Sequence, residues 1–244
     1  MNSNTAIRYW EIDAGRGVAI LMMILYHFLY DLTFLKLINI TVISGFWLYF
    51  ARTTLILFLL LVGVGMALSY VKHPNYKFFV KRGLFIFLLG LLITLVTRLA
   101  LGGDYVRFGI LHLIGISIIL GYLFIRASSL MILLATAVTF LGGYLLQHQT
   151  FTFPYLSWAG LKPINFSSVD YTPIIPWFGV ILVGILIGRA LYPLGIRKFK
   201  IVDAPPNLIF DFLRWLGRNS LLIYLLHQPV LVGTLSILQS LWKK

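Results

Sequence analysis

Three ionisable residues in the first apolar run have the types and the spacing for acid–base chemistry. Arg16 and His27 are separated by ten residues in EIDAGRGVAILMMILYHFLYDL, so on an α-helix both project from one face, about 16 Å apart along the axis. Asp31 follows His27 by four residues and is expected within reach of its ring. A carboxylate beside an imidazole fixes its tautomer and stabilises the imidazolium. The pattern predicts a catalytic group of His27, Arg16 and Asp31.

Arg16 precedes His27 by three helical turns and suits recognition of an anion. It is expected to bind a phosphate or a carbonyl oxygen, and Gly15 and Gly17 beside it are expected to let a ligand approach the backbone. Asp13 is expected to pair with Arg16 and to line the same binding site. The alternative is an interfacial ion pair between Asp13 and Arg16, with His27 as a buried, hydrogen-bonded histidine.

Five further residues are candidates for binding substrate or cofactor. Ser220, Tyr224 and His227 are spaced four and three residues apart in GRNSLLIYLLHQPV, which stacks them on one helical face. Arg107 and His112 occur in a separate run, RFGILHLIGISIIL. For the two histidines the alternative is hydrogen bonding between helices, because polar side chains hold membrane helices together.

Metal and thiol chemistry is not indicated. The chain has no cysteine, which excludes thiol nucleophiles, disulfides and cysteine-ligated metals. There is no HExxH pair, so a metal site would require His27, His112 and His227 to converge, and none is expected. The sequence also lacks a GxSxG elbow, a P-loop and a dinucleotide fingerprint.

The elements that must position these residues are membrane helices. The 244-residue chain is 60% hydrophobic and 11% charged, with a mean hydropathy of +0.94, whereas a soluble domain is about half apolar and about a quarter charged. Its apolar runs are uninterrupted, which excludes the alternation of a barrel wall. We therefore predict an all-α, polytopic bundle of about seven transmembrane helices in a single domain, 1–244. The predicted spans are 14–36, 50–71, 79–101, 107–126, 129–147, 173–192 and 217–241.

Two polar interruptions separate the later spans. Segment 148–172 is rich in aromatic residues, Ser and Thr, and is expected to cover a site like a lid. The stretch IFDFLRWLG, 209–217, is expected to form a short interfacial helix. At the other end of the chain we predict no removable signal peptide and a first span that acts as a retained signal anchor.

Membrane topology accounts for the formal charge of +13. With the N-terminus inside, 13 Lys and Arg residues fall on the cytoplasmic face and 7 on the other. This bias predicts a cytoplasmic N-terminus and a C-terminus outside, and it requires no nucleic-acid partner. A basic cytoplasmic rim would still attract an anionic donor such as a nucleotide or a coenzyme A derivative.

The spacing of Arg16 and His27, together with the ending GRNSLLIYLLHQP, resembles the transmembrane acyltransferases. These include the membrane acyltransferase-3 proteins and the heparan-α-glucosaminide N-acetyltransferase-like family. FGILHLIG at 108–115 and PIIPWFGVILVGILIG at 173–188 look most like the small prokaryotic branch of the latter. Two features depart from these relatives. Acyltransferase-3 proteins usually have more spans, and the heparan-type histidine follows the first helix, where residues 37–50 contain none.

The resemblance implies transfer of an acyl group, typically acetyl from acetyl-CoA, to a hydroxyl or amine of a sugar or cell-envelope acceptor at the plasma or inner membrane. It places His27 at the catalytic histidine position and Arg16 at its partner arginine, and it implies that His227 and Ser220 line the cavity. The implied partners are membrane lipid, acyl-CoA and the acceptor, and a homo-oligomer is left open.

Two rival interpretations use the same residues. A proton-coupled transporter of a small molecule or lipid would use the intramembrane His, Arg and Asp side chains as a proton relay. An assembly subunit would use them only to bind neighbouring helices. A retinal photoreceptor is excluded, because residues 219–242 contain no lysine for a Schiff base.

Overall fold

The computed structural model describes residues 8–153, 155–201 and 207–242. Within these ranges the chain is all-α, as predicted, with eight α-helices and no strand. Residues 1–7, which precede the predicted signal anchor, and Lys243 and Lys244, which contribute to the charge count outside, lie beyond the described ranges. The helices are α1 (Trp10–Phe34), α2 (Gly45–Lys72), α3 (Tyr76–Leu101), α4 (Ile110–Ile125), α5 (Ser129–Leu146), α6 (Ile174–Leu191), α7 (Leu208–Arg218) and α8 (Ser220–Trp242).

Six of the described helices, α1, α2, α3, α5, α6 and α8, are long and apolar enough to cross a membrane. The chain is therefore an integral membrane protein. A seventh apolar helix, α4, has 16 residues, which gives a length of about 24 Å against a hydrocarbon core of about 30 Å. The prediction of about seven spans is thus close, with α4 as the short member.

The chain separates into two compact units. The first comprises residues 1–58 and 201–244, and the second comprises residues 59–200. The division falls within α2, so the second unit is inserted in sequence between the two segments of the first. Each unit has its own helix packing and is described separately.

In the first unit, α1 packs against α7 and α8. Two glycines permit the close approach of α1 and α7. A Cβ atom on Gly17 would collide with the backbone of Leu213, and one on Gly217 would collide with the carbonyl of Asp13. The expectation that Gly17 gives a ligand access to the backbone is therefore wrong, because α7 already covers that position. The buried core beside it consists of Ile20, Met23 and Leu216.

The predicted last span, 217–241, is corrected by a break at Asn219. This residue lies between α7 and α8 with φ −100° and ψ 14°, and its side-chain amide donates to the Trp215 carbonyl oxygen at 2.9 Å. Asparagine side chains compete with backbone hydrogen bonds in this way, which disfavours an uninterrupted helix. The predicted short helix is confirmed as α7, and it exposes Leu208, Phe212 and Trp215.

In the second unit, α4 runs back along α3. The rings of Phe79 and Tyr122 lie 5.2 Å apart, Gly83 contacts Gly115, and Gly90 contacts the ring of His112. These contacts pair the beginning of α3 with the end of α4, so the two helices are antiparallel along α4 from His112 to Tyr122. Helices α5 and α6 form a second packed pair, and α6 also packs against α4.

Candidate functional site

Helix α1 carries the predicted catalytic residues without a break. It extends over 25 residues, so Arg16 and His27 lie on one continuous helix about 16 Å apart along its axis, as their spacing predicts. Both side chains are half-buried. The helix therefore holds a cation and an imidazole at a fixed separation on one face.

The His27 ring is oriented by its own helix. Its Nδ1 lies 2.9 Å from the Met23 carbonyl oxygen. A carbonyl oxygen only accepts hydrogen bonds, so Nδ1 carries the proton and, in the neutral ring, Nε2 holds the lone pair. His27 is thus presented in the tautomer that a base or a nucleophile requires at Nε2.

Asp31 interacts electrostatically with His27, as the four-residue spacing predicts, but its hydrogen-bond donor is Gln228. It is only 2% exposed, and its Oδ1 accepts a hydrogen bond from Gln228 Nε2 at 2.7 Å. The physical reason is that the Nδ1–H of His27 is already used by Met23, whereas the amide of Gln228 in α8 offers a donor to the carboxylate. Asp31 therefore joins α1 to α8 instead of fixing the His27 tautomer.

His227 in α8 brings a second imidazole to His27. The two ring centroids are 4.8 Å apart, with an angle of 73° between the ring planes. His227 Nδ1 lies 2.6 Å from the Tyr224 carbonyl oxygen, so its proton also sits on Nδ1. Within the described ranges its Nε2 is buried and has no hydrogen-bond partner.

The other two candidates in α8 have simpler surroundings. The ring of Tyr224 lies 5.5 Å from that of His227 and packs against the core that contains Met23. Ser220 is the first residue of α8 and is half-buried. The predicted stack of Ser220, Tyr224 and His227 therefore lies on one continuous helix, and Tyr224 and His227 are in contact.

Asp13 pairs with an arginine that the sequence interpretation assigned to topology. Its Oδ2 accepts from Arg218 Nε at 3.3 Å, and the pairing with Arg16 stays a prediction. Gly217, next to Arg218, lets α7 approach Asp13 closely. A buried carboxylate gains a cation from the neighbouring helix in this way, as buried charges require.

Arg107 lies in the second unit and fastens segment 148–172 to the turn after α3. Its Nε donates to the Ser167 carbonyl oxygen at 2.9 Å, and its backbone N–H donates to Ser168 Oγ at 3.2 Å. The guanidinium lies over the rings of Tyr105 and Phe166, at 4.6 and 5.6 Å from their centroids. These contacts hold the predicted lid segment to the loop that precedes α4.

His112, also in the second unit, has both ring nitrogens engaged. Nδ1 accepts from the Gly109 backbone N–H at 3.2 Å, and Nε2 lies 3.4 Å from Thr94 Oγ1, which itself donates to the Val106 carbonyl oxygen at 2.7 Å. This is the opposite tautomer to that of His27. The geometry fits the alternative reading of His112 as a residue that joins helices, here α3 and α4.

No group of three or more His, Cys, Asp or Glu side chains comes together as a metal site within the described part of the chain.

The sequence interpretation missed the roles of Gln228, Arg218 and the Met23 carbonyl. Gln228 and Arg218 belong to the terminal stretch GRNSLLIYLLHQP, which gave a signal, but their partners on α1 are about 200 residues away and have no local pattern.

The comparison with known proteins decides the family. A family model described as heparan-alpha-glucosaminide N-acetyltransferase, catalytic, matches residues 8–229. The chain belongs to this family. No curated protein and no solved structure matches it.

Membership of the heparan-alpha-glucosaminide N-acetyltransferase family confirms the resemblance seen in the sequence and indicates membrane acetyltransferase activity in general terms. The matched range runs through both units and contains every candidate residue. In this member of the heparan-alpha-glucosaminide N-acetyltransferase family, the first unit contains a cluster of four polar side chains. They are two imidazole rings in contact and a hydrogen-bonded carboxylate–amide pair: His27, His227, Asp31 and Gln228.

Proposed function

We propose that this chain is an acetyl-CoA-dependent acetyltransferase of the plasma or inner membrane. It transfers the acetyl group to a hydroxyl or amine of a sugar or cell-envelope acceptor. The family match supports acetyl transfer. The observation that carries the assignment of the site is the hydrogen bond from His27 Nδ1 to the Met23 carbonyl oxygen, which leaves Nε2 available for chemistry.

The donor binds along α1. Acetyl-CoA carries its phosphates at one end of a long pantetheine arm and its thioester at the other, so it needs a cation and a reactive group some distance apart. Arg16 and His27 have that arrangement, about 16 Å apart along one helix. Arg16 binds a phosphate or the thioester carbonyl oxygen, and the Asp13–Arg218 pair adds a second cation one turn from it.

His27 performs the transfer through Nε2 in one of two ways. It either removes the proton from the acceptor as the acceptor attacks the thioester, or it attacks the thioester itself and carries the acetyl group. Asp31 positions the site: its bond to Gln228 fixes the turn of α8 that contains His227 against α1. No resident metal is required by either route.

The test is incubation of the purified protein in detergent with acetyl-CoA labelled in its acetyl group. We expect transfer of label to an added acceptor such as glucosamine, and His27→Gln should lower its rate at least about a hundredfold, since general-base groups contribute about 10²–10⁴-fold. The matched control is His73→Gln, at an exposed position between α2 and α3, which should keep full activity.

Two results would contradict the proposal. Full activity in the His27→Gln variant would show that His27 takes no part in the reaction. A wild-type protein that leaves acetyl-CoA intact, yet moves a labelled anion across vesicles without changing it, would support the transporter interpretation instead.

A further inference from the structure

The proposed function uses one imidazole, but the first unit holds two in contact. His27 in α1 and His227 in α8 lie with their ring centroids 4.8 Å apart. His227 follows Tyr224 by three residues, and the Tyr224 carbonyl oxygen accepts its Nδ1–H at 2.6 Å. A histidine that only held two helices together would use its second ring nitrogen for a hydrogen bond to the neighbouring helix, as His112 does with Thr94.

The second nitrogen of His227 has no such use. Within the described ranges Nε2 is buried without a hydrogen-bond partner. Its tautomer, set by the Tyr224 carbonyl, makes Nε2 an acceptor. An unfilled acceptor of this kind costs about 1–3 kcal/mol in the folded state. Asp31 Oδ2 and Gln228 Oε1, in the bonded pair next to it, are also buried without a partner in the described part of the chain, so the cluster as a whole is suited to a substrate that donates protons, and within it only His227 Nε2 belongs to a ring in contact with His27.

The neighbouring polar groups leave His227 free for that role. Asp31 Oδ1 is bonded to Gln228 Nε2, which anchors the residue adjacent to His227. His27 Nδ1 is bonded to Met23, so its own Nε2 can accept only one further group. Two acceptor nitrogens side by side are redundant if a single base acts, but they suit a reaction that needs a nucleophile and a base together.

We infer that His27 and His227 divide the reaction, with His27 carrying the acetyl group and His227 acting as the base for the acceptor. The inference rests on the proposed function and extends it. In the first step His27 Nε2 attacks the thioester carbon, an N–C bond forms, the C–S bond breaks, and the coenzyme A thiolate leaves and takes a proton from solvent.

In the second step the acceptor hydroxyl attacks the acetyl carbon on His27. An O–C bond forms, the N–C bond breaks and its electron pair returns to His27 Nε2. The hydroxyl proton passes to His227 Nε2, which gives it up to solvent afterwards. Atoms and charge balance over the two steps, and neither step needs a metal or a redox partner.

The absence of cysteine from the chain gives this inference a sharp test. A thiol reagent reacts only with released coenzyme A, because the protein has no thiol of its own. Transfer of the acetyl group to the protein therefore appears as a burst of free coenzyme A thiol, with no background from the protein. After loading with labelled acetyl-CoA and removal of the excess, loss of label from the protein into glucosamine reports the second step. The variants are His227→Gln and His227→Asn, with His73→Gln as the control.

We expect both His227 variants to show the wild-type burst, which also demonstrates that they are folded, and to lose their label at least tenfold more slowly. Hydroxylamine, whose nitrogen is an effective nucleophile without a base, should discharge wild type and variants at similar rates. His27→Gln should show no burst. Label loss at the wild-type rate from the His227 variants would overturn the inference, and so would loss of the burst in both of them.

Failure of the inference can be told apart from failure of the proposed function. A wild-type protein that turns over acetyl-CoA with glucosamine but shows no burst transfers the acetyl group directly, which overturns the divided mechanism and leaves the proposed function intact. A wild-type protein that releases no coenzyme A at all, with or without glucosamine, contradicts both.

Discussion

At the scale of single residues, the protonated ring nitrogen separates histidines suited to chemistry from one that supports the structure. His27 and His227 donate Nδ1–H to carbonyl oxygens of their own helices. His112 accepts at Nδ1 from the Gly109 backbone and directs Nε2 toward Thr94. The first arrangement leaves the Nε2 lone pair outside the hydrogen bonds of the histidine's own helix, and the second uses both ring nitrogens, although all three residues look alike in an apolar sequence.

The hydrogen bond between Asp31 and Gln228 should stabilise the fold as well as the site. In Gln228→Leu the nearly inaccessible carboxylate loses the donor at 2.7 Å. A buried polar group left without its partner costs about 1–3 kcal/mol, so the unfolding temperature in detergent should fall. Gln149→Leu, at an exposed position, is the matched control and should leave it unchanged.

A double substitution shows whether the two side chains act through each other. Asp31→Leu combined with Gln228→Leu removes both partners, so its destabilisation should be smaller than the sum of the two single effects. Strict additivity would mean that the contact contributes nothing to stability.

Local spacing allowed part of this site to be predicted. Arg16, His27 and Asp31 share a helix, and their separation along it follows from helical geometry alone. Spacing could not reveal that Asp31 would bond to Gln228, 197 positions away. His27 is within reach on the same helix, but it competes for the carboxylate with every donor that the fold brings near. The Met23 carbonyl was equally hidden, since any backbone oxygen one turn back can accept from a histidine.

At the scale of elements, the contact of α1 with α7 depends on glycine. In Gly17→Ala the new Cβ meets the Leu213 carbonyl oxygen, which is backbone and cannot swing away. We expect a loss of about 1–3 kcal/mol, the usual cost of overpacking, measured as a lower unfolding temperature. Gly233→Ala is the control, because a Cβ there has no neighbour within 4 Å and alanine favours the helix.

A Gly17→Ala variant as stable as the wild type would show that α7 is held loosely against α1.

The existence of α7 was predictable from its mixture of charged and aromatic residues. Its separation from α8 was not, because apolar residues continue past Asn219, where the backbone leaves the helical conformation and the side chain bonds to Trp215.

At the scale of the whole molecule, orientation depends on α4. The predicted cytoplasmic N-terminus and outer C-terminus require an odd number of crossings, whereas the part of the chain that the structure describes contains six helices of full membrane length, an even number. The antiparallel contact with α3 supports a crossing by α4, since Tyr122 near its end donates to the Pro74 carbonyl oxygen, just before α3, at 2.8 Å.

Single cysteines introduced into this cysteine-free chain test that prediction. With a membrane-impermeant thiol reagent applied to intact cells, cysteine at Gly103 or Thr152 should react and cysteine at His73 or Ser128 should not. This expectation follows from the excess of Lys and Arg on the side assigned to the cytoplasm. Equal labelling at Gly103 and Ser128 would mean that α4 does not cross.

The pair of Asp13 and Arg218, separated by 205 positions, has a consequence for biosynthesis. Chains emerge from the ribosome with their N-terminal part first, so α1 enters the membrane long before α7 and α8 exist. Throughout that interval Asp13 lacks Arg218, Asp31 lacks Gln228, and His27 faces no second imidazole. A nascent or truncated chain that ends before α7 therefore carries His27 without the groups that surround it, and the site is assembled only after α7 and α8 have been made.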